Sequence, residues 1–207
     1  MRSPLAPERL LAAYAAGIFP MADEVGHVHW LAPDPRAVIP LNGFKTSRSL
    51  RSARRGGAFT LTINHAFVEV IEACADRADG TWISQDIHDA YCRLHQAGYG
   101  HSVETWMGDQ LAGGLYGVAI GGAFFGESMF HRVTDASKVA LVVLVERMRE
   151  RGFTLLDVQF MTPHLRQFGA VEISRIEYET RLRKATQLPC SFVDRPGAIT
   201  LDPPQSR

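Results

Sequence analysis

Apolar positions recur at helical spacing over residues 5–17, and the run stops at Gly17 with Pro20 just beyond, so the chain opens with a short helix. From 17 to 40 turn-forming residues interrupt any period (Pro20, Gly26, Pro33, Pro35, Pro40), leaving 28–30 and 37–39 as short strands. Basic residues spaced by three to four over 45–55 lie along one side of a helix. A strand at 59–63 and amphipathic helices at 66–75 and 86–97 follow, the last stopping at Gly98. Beyond it the period falls to two. Strands are expected over 102–107, 110–120 and 123–130, joined by turns at Gly108-Asp109 and Gly121-Gly122. A strongly apolar helix over 137–151 ends at Gly152, then come a buried-type strand (153–160), a short helix (163–168) and a last strand over 171–178.

Three meandering strands followed by helix, strand, helix, strand is the order of an α+β domain of the N-acetyltransferase (GNAT-like) type, with a mixed, largely antiparallel sheet flanked by helices. A soft boundary near residue 60 divides the chain into a small N-terminal α/β domain (1–60), the GNAT-like domain (61–195) and a loose tail (196–207). Composition narrows the class further. At 46% apolar and 21% charged residues with net charge zero, the 207-residue chain reads as globular, and a uniformly basic nucleic-acid binder is excluded while local patches are not. The greasiest runs fall far short of a membrane span, and no export signal opens the chain. Cys74, Cys92 and Cys190 never form a Cys-x-x-Cys pair, which argues for a reducing cytoplasm, without disulfides or a thiolate zinc site.

Against this background one acid stands out. Glu127 lies in the apolar run 124–131, and burying a carboxylate there costs several kcal/mol, about 3–5, unless it is paired. Strict alternation puts Glu127 with Phe125 and Met129 on one face of the strand, and Phe124, Ser128 and Phe130 on the other. Such an acid is either a structural carboxylate turned to an arginine or a pocket wall. Asp157 and Gln159, two apart on a strand, leave the same face; they form either a solvated polar pair or a carboxylate–carboxamide pair able to orient an amine. Lys45, Arg48, Arg51, Arg54 and Arg55, with no acid among them, are either a solvated helix face or a row of phosphate contacts. Other constellations fail. His27 and His29 lack a third ligand, so no metal is expected. Ser128, His131 and Asp135 lack a nucleophile elbow. Also missing is the Gln/Arg-x-x-Gly-x-Gly/Ala turn that holds the coenzyme A pyrophosphate; Thr134-Asp135-Ala136-Ser137-Lys138 stands in its place.

Taken together, the motifs resemble the leucyl/phenylalanyl-tRNA–protein transferases of bacteria. They include Tyr14-Ala15-Ala16-Gly17-Ile18-Phe19-Pro20, Trp30-Leu31-Ala32-Pro33-Asp34-Pro35-Arg36, Ser47-Arg48-Ser49-Leu50-Arg51 and Thr81-Trp82-Ile83. His101-Ser102-Val103-Glu104-Thr105-Trp106, Gly113-Gly114-Leu115-Tyr116-Gly117-Val118, the stretch from Phe125 to His131, Ala136-Ser137-Lys138, Asp157-Val158-Gln159 and Phe168-Gly169-Ala170 complete the set, in the family's order. The resemblance implies transfer of Leu or Phe (and Met) from aminoacyl-tRNA to the α-amine of proteins beginning with Arg or Lys, which marks them for N-end rule degradation. It implies no cofactor, since an aminoacyl ester is already activated and roughly a tenth of an α-amine is neutral at pH 7. It also implies roles. Asp157 and Gln159 orient or deprotonate the amine, and Glu127 holds an amino group. Met129, Phe124, Leu144, Met148 and Leu156 line the aminoacyl pocket. Trp82, Trp30 and Tyr91 stack on the terminal adenosine, and the basic run binds the tRNA acceptor arm. The competing readings are an acetyl-coenzyme A-dependent N-acetyltransferase and a catalytically silent tRNA-binding module.

Overall fold

The computed structural model describes residues 5–78, 80–194 and 199–201. Helix α1 (Pro7–Ala15) precedes a hairpin of β1 (Phe19–Ala22) and β2 (Val28–Leu31), which is a sheet of its own. Then follow β3 (Arg36–Ile39), α2 (Arg48–Arg55), β4 (Thr60–Ile63), α3 (Phe67–Ala75) and α4 (Gln85–Gln96). The meander is β5 (Gly100–Met107), β6 (Gln110–Ile120) and β7 (Ala123–His131). After it come α5 (Ala136–Glu150), β8 (Leu155–Gln159), α6 (Pro163–Arg166), β9 (Val171–Ile173), α7 (Arg175–Thr186) and β10 (Ile199–Leu201). Ser47, Ser84 and Ser174 cap α2, α4 and α7, each hydroxyl accepting an N–H of the first turn.

The large sheet runs β10-β4-β5-β6-β7-β8-β3-β9 among the described residues. All its pairings are antiparallel except β7 with β8, which the crossover through α5 makes parallel. The sheet is sandwiched. On one face α1, α3, α4 and α7 bury Tyr14, Val70, Ile71, Ile87, Tyr91 and Leu182; on the other, α5 buries Val139 to Val145 almost without interruption, together with Leu50 of α2. This is the GNAT-like arrangement expected from the element order. None of the described helices is long and apolar enough to cross a membrane.

Several expectations are corrected. The strand expected over 171–178 ends at Ile173, because Ser174 caps a new helix and its hydroxyl accepts the Glu177 N–H; that helix, α7, went unforeseen, as did β1. β3, from the segment expected as a separate small domain, is hydrogen-bonded into the large sheet between β8 and β9. The tail expected from 196 lies outside the described residues, except that β10 pairs with β4. Lys45 precedes α2 and is not on it.

The correction with most consequence concerns β7. Tyr116 of β6 pairs with Ser128 and the next residue, Gly117, pairs with Gly126, so Glu127 is the extra residue of a β-bulge. Alternation therefore changes phase there. Phe125 and Phe130 both pack into the α3/α4 face and Phe124 and Met129 into the α5 face, against the strict alternation read from the sequence. The bulge needs glycine on β6, since a Cβ on Gly117 would fall 2.2 Å from the Phe125 carbonyl oxygen.

Candidate active site

β7 and β8 pair only from Ala123–Leu155 to Phe125–Asp157, then part. A cavity of about 310 Å³ opens between them. Its α5-side wall is apolar: Leu115, Met129, Leu141, Leu144, Leu156, Val158 and Leu165. Arg77, Tyr116, Glu127 and Ser128 supply polar groups from the other side, with Trp82 and Phe160 as aromatic rims. A second bulge, in β8 at Val158 opposite β3, accompanies the parting of the strands. Immediately after it Gln159 adopts φ +57°, a left-handed conformation that costs a non-glycine residue about 1 kcal/mol or more.

Glu127 is held by two buried tyrosines. The Tyr14 hydroxyl donates to Oε1 (2.7 Å) and the Tyr91 hydroxyl to Oε2 (3.0 Å), and the two hydroxyls also contact each other. Burial pushes the Glu127 carboxyl up to about 7; the two hydroxyls pull it down, Asp157 adds to the rise and Arg36 opposes it. The tyrosines themselves are driven well above their ordinary value by burial and then by the Glu127 charge, so they remain donors. Gln159 Nε2 reaches Glu127 Oε1 at 3.5 Å, the outer limit of a hydrogen bond.

Asp157 is fully committed. Arg36 clamps it with two bonds, Nε to Oδ1 (2.9 Å) and Nη2 to Oδ2 (2.7 Å); the Tyr178 hydroxyl donates to Oδ2 (2.6 Å), and the Gln159 backbone N–H to Oδ1 (2.9 Å). Arg36 is 1% exposed and Asp157 0%. The guanidinium is also stacked between the rings of Phe19 and Tyr178, at 4.7 and 4.6 Å, and donates to the Gly17 carbonyl. Asp157 thus anchors the backbone of Gln159 and offers no free lone pair toward the cavity. Val158 packs with the α5-side cluster, and because the bulge there pairs Asp157 with Val38 but Gln159 with the adjacent Ala37, the strict alternation read from the sequence does not carry across the pair.

The other sequence candidates divide. Met129, Leu144 and Leu156 line the cavity, whereas Phe124 and Met148 are wholly buried in the core behind it. Trp82 stands at the rim, its carbonyl accepting the Ala22 N–H. Trp30 is 41% exposed on β2 and does not touch the cavity. Tyr91 has no face free for a base: it is buried, edge-on to Tyr116, with its hydroxyl on Glu127. On α2, Arg48, Arg51 and Arg55 share an exposed, shallow depression away from the cavity, while Arg54 is paired with Glu146 at 3.3 Å. Thr162 caps α6 through the Leu165 N–H. Tyr14, Arg36 and Tyr178, which hold the acids, were missed as site residues, although Tyr14 and Arg36 lie inside quoted motifs. An invariable spacing links none of them to their partners, which are up to 121 residues away.

A cavity between parting parallel strands of a GNAT-like sheet, with an apolar wall and a partly buried acid, is a site suited to acyl transfer. The chain belongs to the leucyl/phenylalanyl-tRNA protein transferase family: that family's pattern matches residues 38–183, and its N-terminal domain matches residues 3–34. Leucyl/phenylalanyl-tRNA–protein transferases are similar along nearly their whole length. The one from Gloeobacter violaceus is 55% identical over 91% of this chain and 97% of its own, and that from Rhodospirillum rubrum 52% over 97% of each. The one from Herpetosiphon aurantiacus is 51% identical over 93% of this chain and all of its own. The solved structure of L-PGS from Bacillus licheniformis overlays with a TM-score of 0.44 at 10% identity, over 86% of this chain and 70% of that one. The protein is an aminoacyltransferase.

Proposed function

We propose that the enzyme transfers Leu or Phe, and Met, from aminoacyl-tRNA to the N-terminal α-amine of proteins beginning with Arg or Lys, in the cytoplasm, as the marking step of N-end rule degradation. The observation that carries this reading is the cavity itself: an apolar wall of Met129, Leu141, Leu144 and Leu156 faces a carboxyl with a pKa near 7 across the parting of β7 and β8. The wall accepts an uncharged aliphatic or aromatic side chain and rejects charged ones, which would lose their hydration without a partner. The donor's ester carbonyl then lies toward Glu127 and Gln159.

The α-amine attacks that carbonyl, the new C–N bond forms, the ester C–O bond breaks, and the tRNA ribose oxygen leaves with a proton. The attacking nitrogen must lose one proton. Glu127, about half ionised near pH 7, is suited to hold the amine by a charge-assisted bond and to take that proton. Gln159 orients the amine from the other strand, and Asp157 serves by fixing the Gln159 backbone rather than as a base. Positioning supplies most of the rate, since the ester is already activated. The arginines Arg48, Arg51 and Arg55 of α2 meet the phosphates of the acceptor arm, with Lys45 beside them. Coenzyme A is disfavoured as donor: Asp135 places a carboxylate at the α5 N-terminus, and α5 is packed so closely on β6 that a Cβ on Gly113 would lie 3.0 Å from the Ser137 nitrogen.

Labelled leucyl-tRNA and a peptide beginning with Arg test the reading. Label is expected in the peptide; its absence there refutes the reading, and transfer from acetyl-coenzyme A in its place supports the N-acetyltransferase alternative.

A further inference from the structure

Arg77 stands apart from the machinery described so far. It follows α3, lines the polar side of the cavity and is exposed to solvent. Its guanidinium is nevertheless fixed: Nε donates to the Cys74 carbonyl (3.1 Å), and Nη2 to Ser128 Oγ (2.7 Å) and to the Met129 carbonyl (3.4 Å). All three acceptors are neutral, and among the described residues no carboxylate comes within 4.0 Å of the guanidinium. Glu127, on the same strand as Ser128, is served by Tyr14 and Tyr91 and not by Arg77. A preorganised cation with free donors at a cavity mouth is an anion site in search of an anion.

Resting on the aminoacyl-tRNA reading above, we propose that Arg77 binds the 5′ phosphate of the donor's terminal adenosine. Trp82 lies five residues on in the same loop and lines the same cavity, so one segment offers a flat indole for the base and a fork of donors for the phosphate attached to its sugar. The nucleotide then enters over the α3 side, while the aminoacyl side chain reaches through the strand parting to the α5 side. Arg77 also ties that phosphate to the bulge: its contacts are Ser128 and Met129, the two residues after Glu127. This site is separate from the α2 arginines, which lie away from the cavity. A substrate peptide carbonyl is the other group Arg77 could meet, and the test below separates the two.

The test uses two minimal donors, phenylalanyl-adenosine and the same ester of adenosine 5′-phosphate, with a peptide beginning with Arg as acceptor. The readout is the ratio of kcat/KM for the phosphorylated donor to that for the unphosphorylated one. With the native enzyme the ratio is expected to be roughly fivefold at low salt and to shrink as salt rises, as for a partly exposed charge pair. In Arg77→Gln it should fall to about one, and in Arg77→Lys, which keeps the charge and loses the fork, to an intermediate value. A native ratio of one, or an Arg77→Gln enzyme that is slower with both donors at an unaltered ratio, overturns the proposal; the second outcome is what a peptide contact or a purely structural role would give. Failure of the native enzyme to use either minimal donor or leucyl-tRNA itself would strike the donor reading, and this inference would fall with it.

Discussion

Glu127→Gln isolates the cost of keeping a carboxylate in this cavity, and it can be measured without any substrate. In the unfolded chain the carboxyl titrates near its ordinary 4.5; in the folded protein burial holds it up to about 7. The native state therefore keeps a proton that the unfolded chain has lost between those two values. A group whose folded pKa is raised contributes its stability fully below the unfolded value, and that contribution is lost as pH rises through the folded one. A shift from 4.5 to about 7, at about 1.36 kcal/mol per pKa unit, makes the ionised Glu127 a burden of about 3 kcal/mol above neutrality. Glutamine mimics the neutral acid, with a carbonyl to accept from one tyrosine. Denaturant unfolding of both proteins should give equal stabilities near about pH 4.5, with Glu127→Gln gaining as pH rises and leading by about 3 kcal/mol at about pH 8.5. For a chain of this size that is roughly 6–12 °C in Tm. A stability difference that does not vary with pH, or one that favours glutamine at low pH instead, would refute the reasoning, because it would mean that the tyrosines and Arg36 stabilise the ionised form more than burial penalises it.

Removing one donor should move the same titration further. Tyr91→Phe takes a hydroxyl from the ionised carboxylate, so the Glu127 pKa rises by about one unit and the acid limb of the kcat/KM–pH profile shifts up with it; an acceptor peptide with a different amine pKa separates this limb from the amine's own. Arg36→Ala and Asp157→Ala each strand a buried charge and should each cost about 3–5 kcal/mol in unfolding; full stability with lost transfer in Asp157→Ala would return Asp157 to direct action on substrate. Changing Arg48 and Arg51 together to Ala should lower the slope of log K against log salt for tRNA binding by about 1.4–1.8, two phosphate contacts' worth, whereas an unaltered slope would leave α2 as a solvated face.

How far the sequence reveals this site depends on which of its parts are periodic. The meander, the crossover helix α5 and strand β8 follow from alternation, an unbroken apolar stretch and glycine stops, all of which act over a few residues. α7 was legible in principle, since Ser174 followed by Glu177 is a cap signal, but residues 171–173 and 176–178 each alternate and that short-range pattern favours strand. Glu127 could be singled out as an acid among apolar residues, yet its neighbours were assigned to the wrong faces. A bulge is set by how one strand meets its partner, here by Gly117 opposite Gly126, and no pattern within β7 announces it. The same holds for the clamp. Arg36 and Asp157 lie 121 residues apart, and only the pairing of β3 with β8 brings them together.

That pairing bears on why the N-terminal segment is part of the enzyme rather than an appendage. Glu127 at the cavity and Asp157 behind it are each fixed from outside the meander: Glu127 by Tyr14 of α1 and Tyr91 of α4, Asp157 by Arg36 of β3 and Tyr178 of α7. Arg36 in turn is gripped by Gly17, on the connection that leads from α1, and by Phe19, the first residue of β1. Glu127 and Gln159 sit on strands that no longer hold each other, because β7 and β8 stop pairing before them. Their relative placement must then come from elsewhere, and the Tyr14 and Arg36 contacts are what supplies it, one for each strand and only 22 residues apart in sequence. A cavity opened by parting two strands loses the ladder bonds that would have fixed its walls, and buried polar networks with complete partners are the alternative source of rigidity. The N-terminal segment is in this sense the clasp across the opening, so loosening α1 should disorder the geometry of Glu127 against Gln159 before it unfolds the sheet.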